Sequence, residues 1–293
     1  MRRSLLFLPG NNPNMLINAG YLGADATIFD LEDAVSPAEK DAARILVRNT
    51  MRYMELNCEK IVRINSVDTS FWQKDLDTIL PERPNLILLP KVNSADDVLT
   101  VASYMDEVEA KLGFENGTVG IMPLIETTLG VENSFSIATS SPRVKALFLG
   151  AEDLTADMQC KRTKEGREIE YARTRLVIAA RAAGVDVYDT PFTDVNDDEG
   201  IVVDAQIAKG LGFTGKASIS PRHVDVINSV FSPTLAEINY AYDVIEAIET
   251  AKRQGKGAIS LNGKMIDAPI VARAERTIAM AKALGLERSD DCE

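Results

Sequence analysis

Histidine is almost absent from this chain of 293 residues, and His223 is the only one. A Ser-His-Asp hydrolase needs a histidine as its base, and a lone histidine just past Ser220-Pro221 is poorly placed for that work. His223 therefore reads as a helix-surface or interface residue. Cysteine is scarce too. Cys58, Cys160 and Cys292 lie far apart and form no ligand spacing, which fits inert thiols in a reduced cytoplasm. No apolar run reaches membrane-spanning length. Nothing resembles a signal peptide, because Met1-Arg-Arg-Ser4 leads into a short apolar run ended by Pro9-Gly10. Positive charge is in deficit, with 32 Lys and Arg against 44 Asp and Glu and a net charge of −12. That balance argues against nucleic acid and against anionic membranes as partners. One local basic cluster stands out, Lys161, Arg162, Lys164 and Arg167. It reads either as a solvated loop and helix start or as a landing site for an anionic carrier or for coenzyme phosphates.

What the chain does have is a series of short apolar runs, several of which end on a charge. Gly120-Ile-Met-Pro-Leu-Ile-Glu126 and Ala146-Leu-Phe-Leu-Gly-Ala-Glu-Asp153 organise the rest. Each reads as a strand buried on both faces, as in parallel sheets, with a carboxylate at the rim. Two neighbouring strands of this kind bring Glu126 and Asp153 together. Carboxylates that close repel unless a positive group sits between them. The economical reading is a hard divalent cation, Mg2+ first, since that ion takes one or two protein carboxylates and fills its remaining positions with water and substrate oxygens.

The other runs are Leu5–Leu8, Ala26–Leu31, Lys60–Ile64, Leu86–Lys91, Val185–Tyr188 and Gly215–Ile219. Helix signals lie between them. Ser36-Pro-Ala-Glu39 reads as a capping box opening a helix to about Met54, and Ser94-Ala-Asp-Asp97 opens another. Gly166 to Ala183 reads as a helix stopped by Gly184, and Asp197 to Leu211 as one stopped by Gly212. Eight strands alternating with helices predict an α/β protein, a (β/α)8 TIM barrel over 1-230, with an open doubly wound sheet as the alternative. Residues 231-293 are expected to form a C-terminal helical extension that carries oligomer contacts and an active-site flap, Gln254 to Asp267, followed by a polar tail from Glu287. Asp267 reads equally as the start residue of the last helix.

In such barrels chemistry sits at the C-terminal strand ends. The charged residues expected there are Glu32, Asp33, Arg63, Lys91, Glu126, Asp153, Asp189 and Lys216. A ring of charge at an apolar mouth is costly unless paired or used. Pro9-Gly-Asn-Asn12 reads either as an ordinary strand-to-helix turn or as backbone N–H groups that receive carboxylate or phosphate oxygens.

Several stretches together resemble the citrate lyase β-subunit family, within the HpcH/HpaI aldolase-like lyases that include malyl-CoA and citramalyl-CoA lyases. They are Ser4-Leu-Leu-Phe-Leu-Pro-Gly-Asn11, Phe29-Asp-Leu-Glu-Asp-Ala-Val35, Val62-Arg-Ile-Asn65, Leu89-Pro-Lys91, Pro123-Leu-Ile-Glu-Thr127, Leu149-Gly-Ala-Glu-Asp-Leu154 and Gly263-Lys-Met-Ile-Asp-Ala-Pro269. Their order and spacing carry the match. The resemblance implies a Mg2+-dependent lyase acting on a β-hydroxyacyl thioester, here citryl-[acyl-carrier protein], giving oxaloacetate and acetyl-[acyl-carrier protein]. It implies metal binding by Glu126 and Asp153 and substrate contact by Arg63. It also implies a homotrimer or hexamer in which Asp267 enters a neighbour's site, within a complex with an acyl-carrier protein subunit and an α-subunit. Proton transfer falls to Asp267, Glu32 or Asp33, and substrate contacts to Arg63, Glu126, Pro9, Gly10 and Lys91. The chain departs from many relatives at Ser220, where they carry His or Asn, and at His223, where they often have Gln. The rival readings are a free-standing lyase for a coenzyme A thioester, a Schiff-base aldolase using Lys91 or Lys216, and a non-catalytic assembly subunit.

Overall fold

The computed structural model describes residues 1–253, 259–261 and 263–288. Cys292 and most of the polar tail, and residues 254–258 and 262 of the expected flap, lie outside the described residues. Two compact units are formed, Arg2–Phe231 and a smaller one of Met1 with Ser232–Glu293.

The larger unit is a closed barrel of eight parallel strands in sequential order, β1 (Ser4–Pro9), β2 (Ala26–Asp30), β3 (Glu59–Arg63), β4 (Leu86–Leu89), β5 (Gly120–Ile125), β6 (Ala146–Leu149), β7 (Asp186–Asp189) and β8 (Gly215–Ser218). The expected (β/α)8 barrel is therefore borne out, and the open sheet is not. Strand side chains alternate between the two faces. One phase fills the lumen with Leu5, Ile28, Ile61, Leu88, Leu124, Phe148, Tyr188 and Ala217. The other phase, with Leu6, Phe29, Val62, Ile87, Ile125 and Val187, packs outward against the helices.

The helix signals hold in most places. Ser94 forms the capping box with Asp97, whose carboxylate accepts from the Ser94 N–H at 2.9 Å, and the helix runs Ala95–Leu112. Gly184 and Gly212 end their helices at φ 73° and 103°, backbone that L side chains seldom adopt. The helix expected from Ser36 starts later. Pro37–Glu39 make a 3-10 turn, the α-helix spans Lys40–Tyr53, and the Ser36 hydroxyl donates to Glu39 Oε2 at 3.0 Å instead of the box. Arg167–Ile169 likewise form a 3-10 turn before the helix Glu170–Ala183.

In the smaller unit, helices Leu235–Arg253 and Ala268–Ala283 pack on each other. Part of the expected flap is an antiparallel pair, β9 (Ile259–Leu261) and β10 (Lys264–Ile266). Ile266 is buried with Ala241, Val244 and Ala274. Asp267 caps the last helix, accepting from the Ile270 N–H at 3.2 Å.

Candidate active site

Alternation decides which strand-end residues reach the barrel mouth. Asp30 shares the lumen phase of Ala26 and Ile28, Arg63 that of Ile61, Glu126 that of Met122 and Leu124, and Gly150 that of Ala146 and Phe148. They open onto a cavity of about 500 Å³. Its polar side carries Asp30, Asp33, Arg63, Glu126, Glu152 and Asp153. Its apolar side is Phe7, Pro9, Met15, Ala34, Phe148, Pro191 and Ile219.

Arg63 is the hub. Its Nε and Nη2 donate to the two oxygens of Asp30, at 2.8 and 2.5 Å. Its Nη1 lies 3.1 Å from Glu32 Oε2 and 3.2 Å from Asp33 Oδ2. The guanidinium also stands over the Phe7 ring, 5.2 Å from its centre. Burial works to lower its pKa, but Asp30, Glu32 and Asp33 outweigh it and raise the pKa further, so the charge is permanent. Asp30 is the member of this cluster absent from the expected site residues, although it stands in Phe29-Asp-Leu-Glu as a carboxylate inside an apolar run.

Glu126 is nearly buried. Loss of hydration, reinforced by the charges of Asp153 and Glu32, pushes its pKa up to about 8. Its Oε1 accepts from the Lys91 N–H at 2.8 Å. Its Oε2 lies against Gly150, where a Cβ would stand 2.7 Å away. Asp153 lies in the first turn of the helix Ala151–Asp157 and is exposed to the cavity. A carboxylate driven toward its neutral form by burial, and further by a second carboxylate, suits a divalent cation. Among the described residues no group of three or more His, Cys, Asp or Glu could form a metal cage. Two carboxylates beside an open cavity are the donor set that Mg2+ takes.

Lys91 projects from a left-handed backbone, φ 55°, and its Nζ lies 2.9 Å from Glu32 Oε1. Partial burial works to lower its pKa, but Glu32 and Asp33 outweigh it and raise it. Glu32 itself is buried, and its pKa is raised by loss of hydration against the pull of Arg63 and Lys91.

Four expectations are corrected. Asp189 and Lys216 do not face the mouth. They sit in the outward phase, wholly buried, where Lys216 Nζ meets Asp189 at 2.7 Å and Asp204 at 2.6 Å while Arg173 grips both aspartates. Lys216 is sealed, and Lys91 is paired with Glu32 and does not line the cavity, so neither offers the free amine that a Schiff base needs. The Gly10 N–H is spent on the Asp30 carbonyl at 2.8 Å and is not available to an anion, although Pro9 lines the cavity. His223 is not on a surface: it is fully buried, its ring 6.2 Å from that of Phe192. In the basic cluster, Lys164 pairs with Asp194 and Asp197, and Arg162 with Glu168, so half the expected landing site is committed internally. Ser220 has a local role, its hydroxyl accepting from the Arg222 N–H at 3.3 Å.

Residues 3–221 match the family model described as HpcH/HpaI aldolase/citrate lyase. The chain is 44% identical over 291 residues to the citrate lyase subunit beta of Leuconostoc mesenteroides subsp. cremoris, covering 99% of this chain and 96% of that one. Among solved structures it is similar to the protein CitE of Mycobacterium tuberculosis in complex with magnesium, acetoacetate and coenzyme A, with a TM-score of 0.78, 28% identity, and coverage of 96% and 98%. It is similar also to the citrate lyase beta subunit of M. tuberculosis complexed with oxaloacetate and magnesium, with a TM-score of 0.68, 28% identity, and coverage of 79% and 97%.

Proposed function

This chain belongs to the HpcH/HpaI aldolase/citrate lyase family, and on that premise we propose that it acts as a citrate lyase β-subunit. It is a Mg2+-dependent carbon–carbon lyase that takes a citryl thioester on an acyl-carrier protein to oxaloacetate and an acetyl thioester. The observation that carries this reading is the buried Glu126 beside Asp153, facing Arg63 across one cavity.

Glu126 and Asp153 would hold the Mg2+, which would supply Lewis-acid polarisation of the substrate's hydroxyl. The chain's own side chains do the rest. A carboxylate takes the hydroxyl proton, the carbinol carbon becomes a ketone, and its bond to the thioester α-carbon breaks. The bonding pair leaves on that carbon as an enolate, which then takes up a proton. Arg63, held in plane by Asp30, offers fixed positive charge to the enolate or to a substrate carboxylate. Asp33 lines the cavity and is suited to proton transfer through water, whereas Glu32 lies behind it, engaged by Arg63 and Lys91. Lys91 acts on substrate only through the charges it balances. Phe7, Pro9, Phe148 and Ile219 give the thioester arm an apolar wall and exclude water.

The partners are an acyl-carrier protein subunit and an α-subunit, in the cytoplasm, with this chain as a homotrimer or hexamer. Asp267 then works in trans, on a neighbour's barrel. Among the described residues no helix is long and apolar enough to cross a membrane. The coenzyme A in the M. tuberculosis complex favours a second reading, in which the thioester carrier is coenzyme A. Purified protein, assayed with citryl thioesters of both carriers with and without Mg2+, tests the proposal. Cleavage of the carrier-protein thioester only with Mg2+ is expected; cleavage of neither, with Mg2+ present and carrier loading verified, would refute it.

A further inference from the structure

Arg63 has one edge fully taken by the buried Asp30. Nη1 makes no bond to Asp30 and is shared between Glu32 and Asp33. These two differ. The Glu32 side chain is 7% exposed and does not line the cavity, whereas that of Asp33 is 54% exposed and does. Nη1 donates to Asp33 Oδ2 at 3.2 Å, and because that carboxylate is half solvated, water screens the pair.

We propose that Asp33 is an internal placeholder, a carboxylate that holds the open face of Arg63 until a carboxylate of the substrate displaces it. The inference rests on the lyase reading above. A citryl group brings two carboxylates, one next to the reacting hydroxyl and one a carbon further away. The first belongs with the hydroxyl, and the second needs a cation of its own. Exchange for Asp33 leaves the charge around Arg63 unchanged, and Asp33 moves into water at little cost. A substrate without the second carboxylate leaves Asp33 in place, so the displacement weighs only on the binding of dicarboxylate fragments.

The test is binding, not turnover. Oxaloacetate carries the second carboxylate and pyruvate lacks it. Calorimetric dissociation constants for both, at fixed Mg2+, are compared in the wild type, Asp33→Asn and Asp33→Glu, with thermal melting as a check on folding. Asp33→Asn is expected to raise the preference for oxaloacetate over pyruvate by roughly fivefold, the upper worth of a half-exposed ion pair. Asp33→Glu, which keeps the charge, should retain the wild-type ratio. An unchanged or reduced ratio in Asp33→Asn, with wild type binding both ligands, overturns the placeholder alone. Failure of the wild type to bind either ligand with Mg2+ removes the lyase reading and the placeholder with it.

Discussion

The backbone N–H of Lys91 donates to Glu126 Oε1 at 2.8 Å from a left-handed conformation, φ 55°. A non-glycine residue in that region carries strain, and here the strain aims a donor at a carboxylate assigned to the metal. Lys91→Gly relieves the strain and keeps the N–H, so Mg2+ affinity should hold while Glu32 loses its ammonium partner. Lys91→Val cannot adopt this backbone easily, and its Mg2+ affinity should fall roughly tenfold, equivalent to about 1.4 kcal/mol. Titration calorimetry of Mg2+ against both variants decides.

Removing either assigned metal ligand should abolish the reaction without unfolding the barrel. For Glu126→Gln and for Asp153→Asn we expect turnover to drop by about a thousandfold or more. Oxaloacetate release at saturating Mg2+ measures it. A variant that keeps full rate in EDTA sinks the assignment.

Buried His223 predicts a pH-dependent stability. Burial lowers its pKa below 6.5, with Asp198 opposing and with Arg222 and Lys216 adding to the shift. A folded-state pKa below the unfolded one means the unfolded chain binds more protons in the window between them. Stability is therefore complete above pH 6.5 and is lost as pH falls below it toward the folded-state value. His223→Gln should flatten that part of the profile of melting temperature against pH.

The charge quartet of Arg173, Asp189, Asp204 and Lys216 predicts a large, purely structural effect. Lys216→Met leaves two buried aspartates with one cation, which should cost about 3–5 kcal/mol of stability. Denaturant unfolding measures this. Borohydride with substrate should trap no adduct on Lys216 in the wild type.

If Asp267 works on a neighbouring barrel, Asp267→Asn and Arg63→Ala proteins should each be inactive alone and regain activity when mixed. Verified mixed oligomers that stay inactive would return Asp267 to its helix-capping role.

The strands were legible where they are short apolar runs, as in β1, β4, β5 and β6, while β3, β7 and β8 carry charges and were legible from their regular spacing between helix signals. Glu126 and Asp153 were legible because each closes such a run. What the sequence reading lost was phase. Asp189 and Lys216 looked like mouth residues by position, yet they are one residue out of step with Tyr188 and Ala217 and so point away from the lumen. Asp30, in step with Ile28, was missed for the same reason. Counting by twos from the apolar residues would have sorted all three. The β9–β10 pair was passed over because its two glycine-bearing ends suggested a mobile flap, though Asn262-Gly263 is a dipeptide that favours hairpins. The burial of His223 had no local signal at all, since Phe192, which stands 6.2 Å from it ring to ring, comes from a distant stretch of chain.

At residue 150 the barrel wall is bare main chain, and the carboxylate of Glu126 lies in the room left by a missing side chain. A single methyl there removes no charge, breaks no ion pair and alters no titrating group. It nonetheless claims the space of Glu126 Oε2, which lies 2.7 Å from where the methyl would stand. The smallest enlargement this protein can undergo should therefore be among the most damaging to its chemistry, and a survey of substitutions ranked by polarity would overlook it.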